Sequence, residues 1–324
     1  SESILSSEYA LSLMTANRAG IGLDMGPVRG ILAPVKHNTV KHTGALPLLK
    51  TVEAASKQFT QNSLRTGATV VNYPIFNWEI MDILEYKNNQ GSNTNRARFI
   101  DYTIGVPNIF FERVLKKQDF TLFSSEDVPE LFKYYGDPVK FKESYEAYEK
   151  KGGIRKKVLP AVEVFNKLIK ERVGTGRIYL HFIDNVNSQG LFDEPVTQTN
   201  LCSEVFLPTK AMKFKGLEQT QHTSIDEYDL DNGMISLCIL GCVNFGKLED
   251  ISELDGLTEI MVRFLDNLID VQDYPLDAAE WPTKGYRFLG VGISDFAHFL
   301  AKHELVLGTE ESKRMTHQWA ERFQ

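Results

Sequence analysis

Cysteine is scarce in this sequence, which has three in 324 residues: Cys202, Cys238 and Cys242. A small, odd number in a chain of this length excludes a disulfide framework and favours a reducing, cytoplasmic compartment. A metal site at the two cysteines spaced four apart is also disfavoured, because only one further thiol and no neighbouring histidine could complete it. We therefore expect no metal and no resident cofactor in this chain.

Long apolar runs and an excess of positive charge are missing as well. No stretch of about 18 apolar residues occurs, which excludes a transmembrane helix, and the N-terminus lacks the charged-then-apolar layout of a signal peptide. The net charge is −7, which argues against nucleic-acid or membrane binding, because both need a positive surface. Ser1 and Gln324 both lie in predicted helices, so we expect the sequence to be a piece of a longer protein.

Helical and strand patterns alternate along the chain, which indicates an α/β protein with a parallel sheet. Apolar residues at helical spacing predict helices at 1–19, 47–59, 77–86, 158–173 (ending at Gly174) and 254–271. Short apolar runs predict strands at 68–73, 100–106, 177–184 and 233–246. The run at 233–246 is nearly continuous, which is typical of a strand buried on both faces, whereas the Lys- and Glu-rich residues 133–157 predict an exposed peripheral helix.

The segment TNLCSEV at 199–205 carries an amide, a thiol and a carboxylate at alternate positions: Asn200, Cys202 and Glu204. In an extended segment alternate side chains point the same way, so the three would face one pocket. The amide could bind a polar substrate, the carboxylate could accept a proton and the thiol could react. The residues alone leave open the alternative of a half-buried strand with an incidental cysteine.

This segment resembles the NLCxE signature of the large subunits of class I ribonucleotide reductases. Seven other motifs resemble the same family in the same order: RAGIG at 18–22, HTG at 42–44, LRTGA at 64–68, TGRIY at 175–179, LCxL at 237–240, QDYP at 272–275 and RFLGVG at 287–292. The resemblance runs from end to end of the chain.

The resemblance implies a ten-stranded α/β barrel, made of two antiparallel halves of parallel strands around a central finger loop. The chain would form a single partial catalytic barrel domain, with the first half at about 1–190, the finger loop at about 195–210 and the start of the second half at about 230–324. The N-terminal ATP-sensing domain and the C-terminal region of the family would be absent. We therefore expect the piece to be inactive alone.

The same resemblance assigns the chemistry, which is radical reduction of ribonucleoside diphosphates to deoxyribonucleoside diphosphates. Cys202 would become a thiyl radical, in a pocket closed to water, and take the hydrogen from C3′ of the ribose. Glu204 would accept the proton of the 3′-hydroxyl, and Asn200 would help to hold the substrate. Cys238 would be one of the two reducing thiols, with its partner upstream of Ser1.

Two cysteines also have a plainer interpretation. From the residues alone, Cys238 would be a small apolar filler in a core strand. Cys242 matches no cysteine of the family, and its predicted role is packing.

The resemblance further implies two nucleotide sites. Substrate would contact Gly20, Asn200, Leu201, Cys202, Ser203, Glu204 and Arg65. A nucleoside triphosphate effector, with Mg, would contact Ser1, Arg29, Lys36, Gln61 and Ser63. The planar donor fork of an arginine suits phosphate, and Lys36 departs from an arginine at that place; without the resemblance, Arg29 and Lys36 would simply be solvated surface charges.

The implied partners are a small metal-containing subunit that generates the radical, a thioredoxin- or glutaredoxin-like reductant, and a second copy of the chain paired through helices 1–16 and 46–59. An adenosylcobalamin-dependent reductase also uses a finger loop and is one alternative. It is disfavoured because motifs that match class I occur along the whole chain. A catalytically dead nucleotide-binding scaffold is another, and the intact set of Asn200, Cys202, Glu204 and Cys238 argues against it.

Overall fold

The structure is a computed structural model that describes residues 2–36, 38–59, 66–217 and 232–324. They form two compact units, the first made of the described residues up to Leu217 with residues 232–234, and the second of Ile235–Gln324. Across these ranges, the helices are too short or too polar to cross a membrane. The division into one partial barrel domain with three parts stays a prediction.

The first unit alternates strands and helices along the chain. Its strands are β1 (Ile21–Asp24), β2 (Pro34–Val35), β3 (Val40–Lys41), β4 (Thr69–Pro74), β5 (Asp101–Gly105), β6 (Asp119–Leu122), β7 (Lys157–Pro160) and β8 (Ile178–His181). Its helices are α1 (Glu2–Ala16), α2 (Ala45–Gln58), α3 (Ile80–Ile83), α4 (Asn108–Leu115), α5 (Pro129–Lys133), α6 (Pro138–Lys150), α7 (Ala161–Thr175) and α8 (Ile183–Ser188).

A four-stranded parallel sheet in the order β1-β4-β5-β8 organises this unit. Ile21 pairs with Thr69, and Tyr102 pairs with Ile178. Strand β4 is buried at every position, as expected for a parallel strand covered on both faces. Two antiparallel pairs, β2 with β3 and β6 with β7, lie outside this sheet. The predicted α/β fold with a parallel sheet is confirmed.

The core of the first unit lies on one face of this sheet. Val71 and Tyr73 of β4 and Tyr102 and Ile104 of β5 share an apolar cluster with helix residues such as Leu49. Large fully buried side chains in this core are mostly aromatic: Phe76, Phe110, Phe120, Phe123, Phe141 and Tyr145. Each such burial stabilises the fold by about 2–3 kcal/mol, so this face is fixed by packing.

The peripheral region 133–157 is less exposed than its charge predicts. Helix α6 covers only Pro138–Lys150, begins after the N-cap Asp137, and buries Phe141, Tyr145 and Tyr148. The prediction of an exposed helix was wrong for that face, because these aromatic side chains are spaced to reach the core while the Lys and Glu residues take the opposite side.

Helix α7 ends two residues later than predicted. Its C-cap is Gly176, with a left-handed φ of 64°, whereas Gly174 lies inside the helix. Glycine takes the left-handed conformation without a Cβ clash, so the second of two nearby glycines ends this helix.

The second unit has a two-stranded parallel sheet with helices. Its elements are β9 (Ile239–Asn244), α9 (Glu253–Val271), α10 (Asp277–Tyr286), β10 (Leu289–Ser294), α11 (Phe296–Lys302) and α12 (Glu310–Phe323). Burial alternates along β9, with Ile239 and Val243 buried and Leu240 exposed. The prediction of a strand at 233–246 buried on both faces was therefore wrong, because within this unit α9 covers one face through Leu265 and Ile269.

Candidate active site

Residues 196–206, here called the finger, lie along the parallel sheet and fold back on themselves. On the outward leg the hydroxyl of Thr197 hydrogen-bonds to Asp24, at the end of β1. On the return leg the ring of Phe206 packs against His181, at the end of β8, with ring centroids 5.2 Å apart. Both legs thus lie near the carboxyl ends of strands, and the turn between them points toward the amino ends.

Two glycines let the outward leg approach β1 closely. A Cβ on Gly22 would overlap the carbonyl oxygen of Thr199, and a Cβ on Gly20 would lie 2.5 Å from Cδ2 of Leu201. Together with the contact of Asp24 with Thr197, these pairs ascend along β1 while they descend along the finger, so the outward leg runs antiparallel to β1. Glycine is required here for close approach of two segments of backbone. The contact of Gly20 with substrate stays a prediction.

The tip of the finger is a turn. The N–H of Ser203 donates to the carbonyl of Asn200 at 3.2 Å, and Ser203 has a φ of 59°. The side-chain oxygen of Asn200 accepts from the N–H groups of Glu204 and Val205, both at 3.2 Å. The prediction of an extended segment was wrong, because the asparagine side chain offers the backbone a local alternative to a strand. The alternation that placed Asn200, Cys202 and Glu204 on one side therefore does not apply.

Polar side chains of β4 and β5 anchor this turn to the sheet. The Asn72 side-chain oxygen accepts from the N–H of Thr199 at 3.0 Å. The hydroxyl of Thr103 lies 3.3 Å from that of Thr199 and 3.2 Å from that of Ser203. The sequence interpretation missed Asn72 and Thr103, although a polar residue inside an otherwise apolar strand was the available signal.

The thiol of Cys202 lies at the tip and is exposed, as is Glu204. The expected pocket closed to water is thus not found around this thiol, because the sheet contacts the finger through Thr199 and Ser203 on the other side of the turn. Partial desolvation, and then the charges of Glu204 and Asp101, raise the pKa of Cys202. The group is therefore a protonated thiol at neutral pH.

Both cysteines of the second unit are exposed as well. Cys238 precedes β9 and Cys242 lies in it, on the side that alternates with the buried Ile239 and Val243. The predictions of a core position for Cys238 and a packing role for Cys242 were wrong, since that side of β9 is uncovered within its unit. Among the residues described, no three His, Cys, Asp or Glu side chains are grouped to hold a metal.

Two titratable side chains lie where the finger meets the carboxyl ends of the strands. Burial raises the pKa of Asp24 to about 7, against the lowering effect of hydrogen bonds from Gly26 and Thr197. Burial lowers the pKa of His181 to about 4, and neither of its ring nitrogens has a hydrogen-bond partner within the described ranges. At neutral pH His181 is neutral, and Asp24 is partly protonated.

Replacing Asp24 by asparagine is expected to remove a loss of stability at high pH. The folded-state pKa of Asp24 is raised to about 7 from 3.8, so its stabilising contribution is full below the lower value and is lost as the pH rises through the higher one. At pH 8 the variant should exceed the wild type in free energy of unfolding by on the order of 4 kcal/mol, because a shift of one pKa unit corresponds to about 1.4 kcal/mol. At pH 4 the two should agree.

Urea denaturation at the two pH values measures this difference. The lowered pKa of His181 has the opposite effect on stability, and it acts in both proteins, so the comparison cancels it. A difference between variant and wild type that is the same at pH 4 and pH 8 would contradict the assignment to Asp24.

The residues predicted to bind an effector are only partly described. Arg29 and Lys36 are exposed, and the Arg29 guanidinium donates to the carbonyl of Pro34 at 2.7 Å, within its own loop. The loop is fixed to the sheet unit where the Ile31 N–H donates to the buried carboxylate of Glu79 at 2.8 Å. Four predicted site residues lie outside the described residues: Ser1, Gln61, Ser63 and Arg65.

Comparison with known proteins gives this geometry a family context. A family model described as ribonucleotide reductase, barrel domain, matches residues 2–324. Ribonucleoside-diphosphate reductase α subunits from Haemophilus influenzae, Escherichia coli and enterobacteria phage T4 are 38%, 37% and 37% identical over 100%, 100% and 95% of the chain. The chain covers 42%, 41% and 39% of those proteins, so it spans about two fifths of their length.

Proposed function

Since this chain belongs to the ribonucleotide reductase barrel-domain family, we propose that it is the central part of the α subunit of a ribonucleoside-diphosphate reductase. The observation that carries the proposal is the family match over residues 2–324, with Cys202 at the tip of a finger on a parallel sheet. The complete enzyme converts ribonucleoside diphosphates to deoxyribonucleoside diphosphates for DNA synthesis.

Three side chains of the finger carry the first steps. The small subunit supplies the oxidising equivalent that removes a hydrogen atom from the Cys202 thiol. The Cys202 sulfur then takes the hydrogen atom from C3′ of the ribose, which re-forms the S–H bond and leaves a substrate radical. Glu204 accepts the proton of the 3′-hydroxyl, and the side-chain nitrogen of Asn200 is available to the substrate, since its oxygen is already used within the turn.

Cys238 supplies reduction at the 2′ carbon. Together with a second thiol from another part of the protein, it gives two electrons and two protons while the 2′-hydroxyl leaves as water, and the pair ends as a disulfide. The Cys202 thiol then returns its hydrogen atom to C3′, which completes the deoxyribonucleotide and leaves the radical on the Cys202 sulfur. A thioredoxin- or glutaredoxin-like protein then reduces that disulfide. The exposure of Cys238 in its unit suits a thiol that must reach substrate.

The protonation state of Cys202 supports a radical role over a nucleophilic one. Nucleophilic cysteines have a lowered pKa, because the thiolate is the reacting form. Desolvation and the carboxylates of Glu204 and Asp101 have the opposite effect here. A thiol that keeps its hydrogen is the form that hydrogen-atom transfer requires.

The exposure of Cys202 requires cover from elsewhere in the complete protein. A thiyl radical must be kept from water and oxidants, and this chain spans only 41% of the Escherichia coli relative. We infer that the remaining three fifths closes the site, so the chain alone is inactive. The same proposal includes three further predictions for the complete protein: a homodimer, a nucleoside triphosphate effector bound with Mg, and a cytoplasmic location.

The requirement for a small metal-containing subunit distinguishes this function from that of an adenosylcobalamin-dependent reductase. The complete α subunit should reduce a ribonucleoside diphosphate only when its small metal-containing subunit is added, as measured by deoxyribonucleotide formation. Turnover that depends instead on adenosylcobalamin would reassign the enzyme class. Effector binding without turnover under either condition would indicate a nucleotide-binding scaffold.

A further inference from the structure

The turn that carries Cys202 has an unfavourable backbone conformation. Ser203 follows Cys202 directly and has a φ of 59°, in the left-handed region where a Cβ crowds the neighbouring carbonyl. Serine has neither the freedom of glycine nor the local preference of asparagine for that region. Interactions outside Ser203's own backbone must therefore hold it there.

Three hydroxyl groups provide such an interaction, and we call them the hydroxyl cluster: Thr103, Thr199 and Ser203. Their oxygens lie 3.3 Å apart for Thr103 and Thr199, 3.2 Å for Thr103 and Ser203, and 3.1 Å for Thr199 and Ser203. Thr103 is 0% exposed and Thr199 is 2% exposed. The Thr199 hydroxyl also donates to the side-chain oxygen of Asn72 at 3.3 Å, and it can accept from the other two hydroxyls. The cluster thus links Ser203 to the sheet through hydrogen bonds that are shielded from water at Thr103 and Thr199.

The chain on the other side of Cys202 is fixed to the same sheet. The Asn72 side chain accepts from the N–H of Thr199 at 3.0 Å and donates to its carbonyl at 3.5 Å. Asn72 is 3% exposed and sits in β4, next to Thr103 in the register of β5. The backbone is thus held before and after Cys202, while the thiol itself is left exposed.

We propose that the hydroxyl of Thr103, acting through Ser203 and Thr199, is a positioning group that sets the direction in which the turn presents the Cys202 thiol. The proposal rests on the proposed role of Cys202 as the reacting thiol. Valine would fill this buried strand position as well as threonine does, so burial alone does not call for the hydroxyl. Its hydrogen-bond partners within the described residues are both in the finger.

The test is the rate at which each cysteine of the folded chain is alkylated by iodoacetamide, read by mass spectrometry after tryptic digestion. Residues 178–210 form a tryptic peptide with Cys202 alone, and residues 216–247 form one with Cys238 and Cys242. Thr103→Val should release the turn into water, lower the pKa of the Cys202 thiol and raise its alkylation rate about threefold or more at pH 8. The peptide 216–247 should keep its rate.

Two variants separate positioning from general loss of stability. Thr103→Ser keeps the hydroxyl and should restore the wild-type rate and pH profile at Cys202. Thr69→Val removes a matched buried hydroxyl pair of the same sheet, in which Thr69 lies 2.7 Å from Ser56 on the side of α2, and it should leave Cys202 unchanged. If Thr103→Val fails to fold by circular dichroism, Ser203→Ala removes a hydroxyl of the same cluster from the finger side.

An unchanged rate and pH profile at Cys202 in folded Thr103→Val, or in Ser203→Ala where that variant takes its place, would overturn the proposal. An equal change in Thr69→Val would also overturn it. The alkylation rate is measured without turnover, so its outcome does not depend on the proposed enzymatic function. An altered alkylation rate in Thr103→Val, combined with full activity of a complete enzyme that carries Cys202→Ser, would refute the radical role and leave the positioning intact.

Discussion

Replacing Cys202 by serine is expected to lower kcat of the complete reductase by about a thousandfold or more. Sulfur is the only atom at that position that can lose and regain a hydrogen atom at accessible energy, because an O–H bond is much stronger than an S–H bond. Serine is close to cysteine in size, and the Cys202 side chain is exposed, so the turn should keep its fold. Deoxyribonucleotide formation measures the loss.

Substrate and effector binding should stay within about twofold of wild type, since a conservative exposed change leaves binding contacts in place. Cys242→Ser is the matched control: it makes the same substitution at another exposed cysteine, one with no proposed role, and it should retain wild-type turnover. Near-normal activity in Cys202→Ser would refute the assigned reaction, whatever the behaviour of Cys242→Ser.

Gly22→Ala is expected to displace the finger and to lower kcat about a hundredfold, the cost of moving a reacting group by about 1 Å. The added Cβ would overlap the carbonyl oxygen of Thr199 and lie 3.0 Å from Cα of Asn200. Both atoms are backbone, so no side chain can rotate away. The free energy of unfolding of the chain should fall by about 2 kcal/mol, as in other overpacked sites.

Urea denaturation and turnover measure these two effects separately. Gly174→Ala is the control, because Gly174 lies inside α7 with nothing within 4 Å of an added Cβ. That change should keep turnover and raise the stability by up to about 1 kcal/mol, the helix preference of alanine over glycine. Wild-type stability and turnover in Gly22→Ala would show that the finger does not pack on β1.

Local patterns in the sequence predicted only some of the regular elements. The predicted helix 77–86 is only α3 (Ile80–Ile83), and residues 158–160 of the predicted helix 158–173 belong to strand β7. Helix α9 and strands β4, β5 and β8 follow from apolar spacing over a few residues, and the short motifs identified the family. Helix ends were less accurate, since the choice between Gly174 and Gly176 depends on which glycine takes a left-handed φ. Burial in the second unit was overestimated, because an apolar run such as 233–246 does not tell how many of its faces are covered.

The sequence by itself determined the class of fold and the family, through alternating strands and helices and through short motifs along the whole chain. Only the tertiary structure decided the shape of the finger. Its anchors join Thr199 to Thr103 and Asn72, which are 96 and 127 residues away in the chain. Hydrogen bonds over such separations leave no periodic trace in a sequence, and they exist only once the sheet has brought their partners within 3.5 Å.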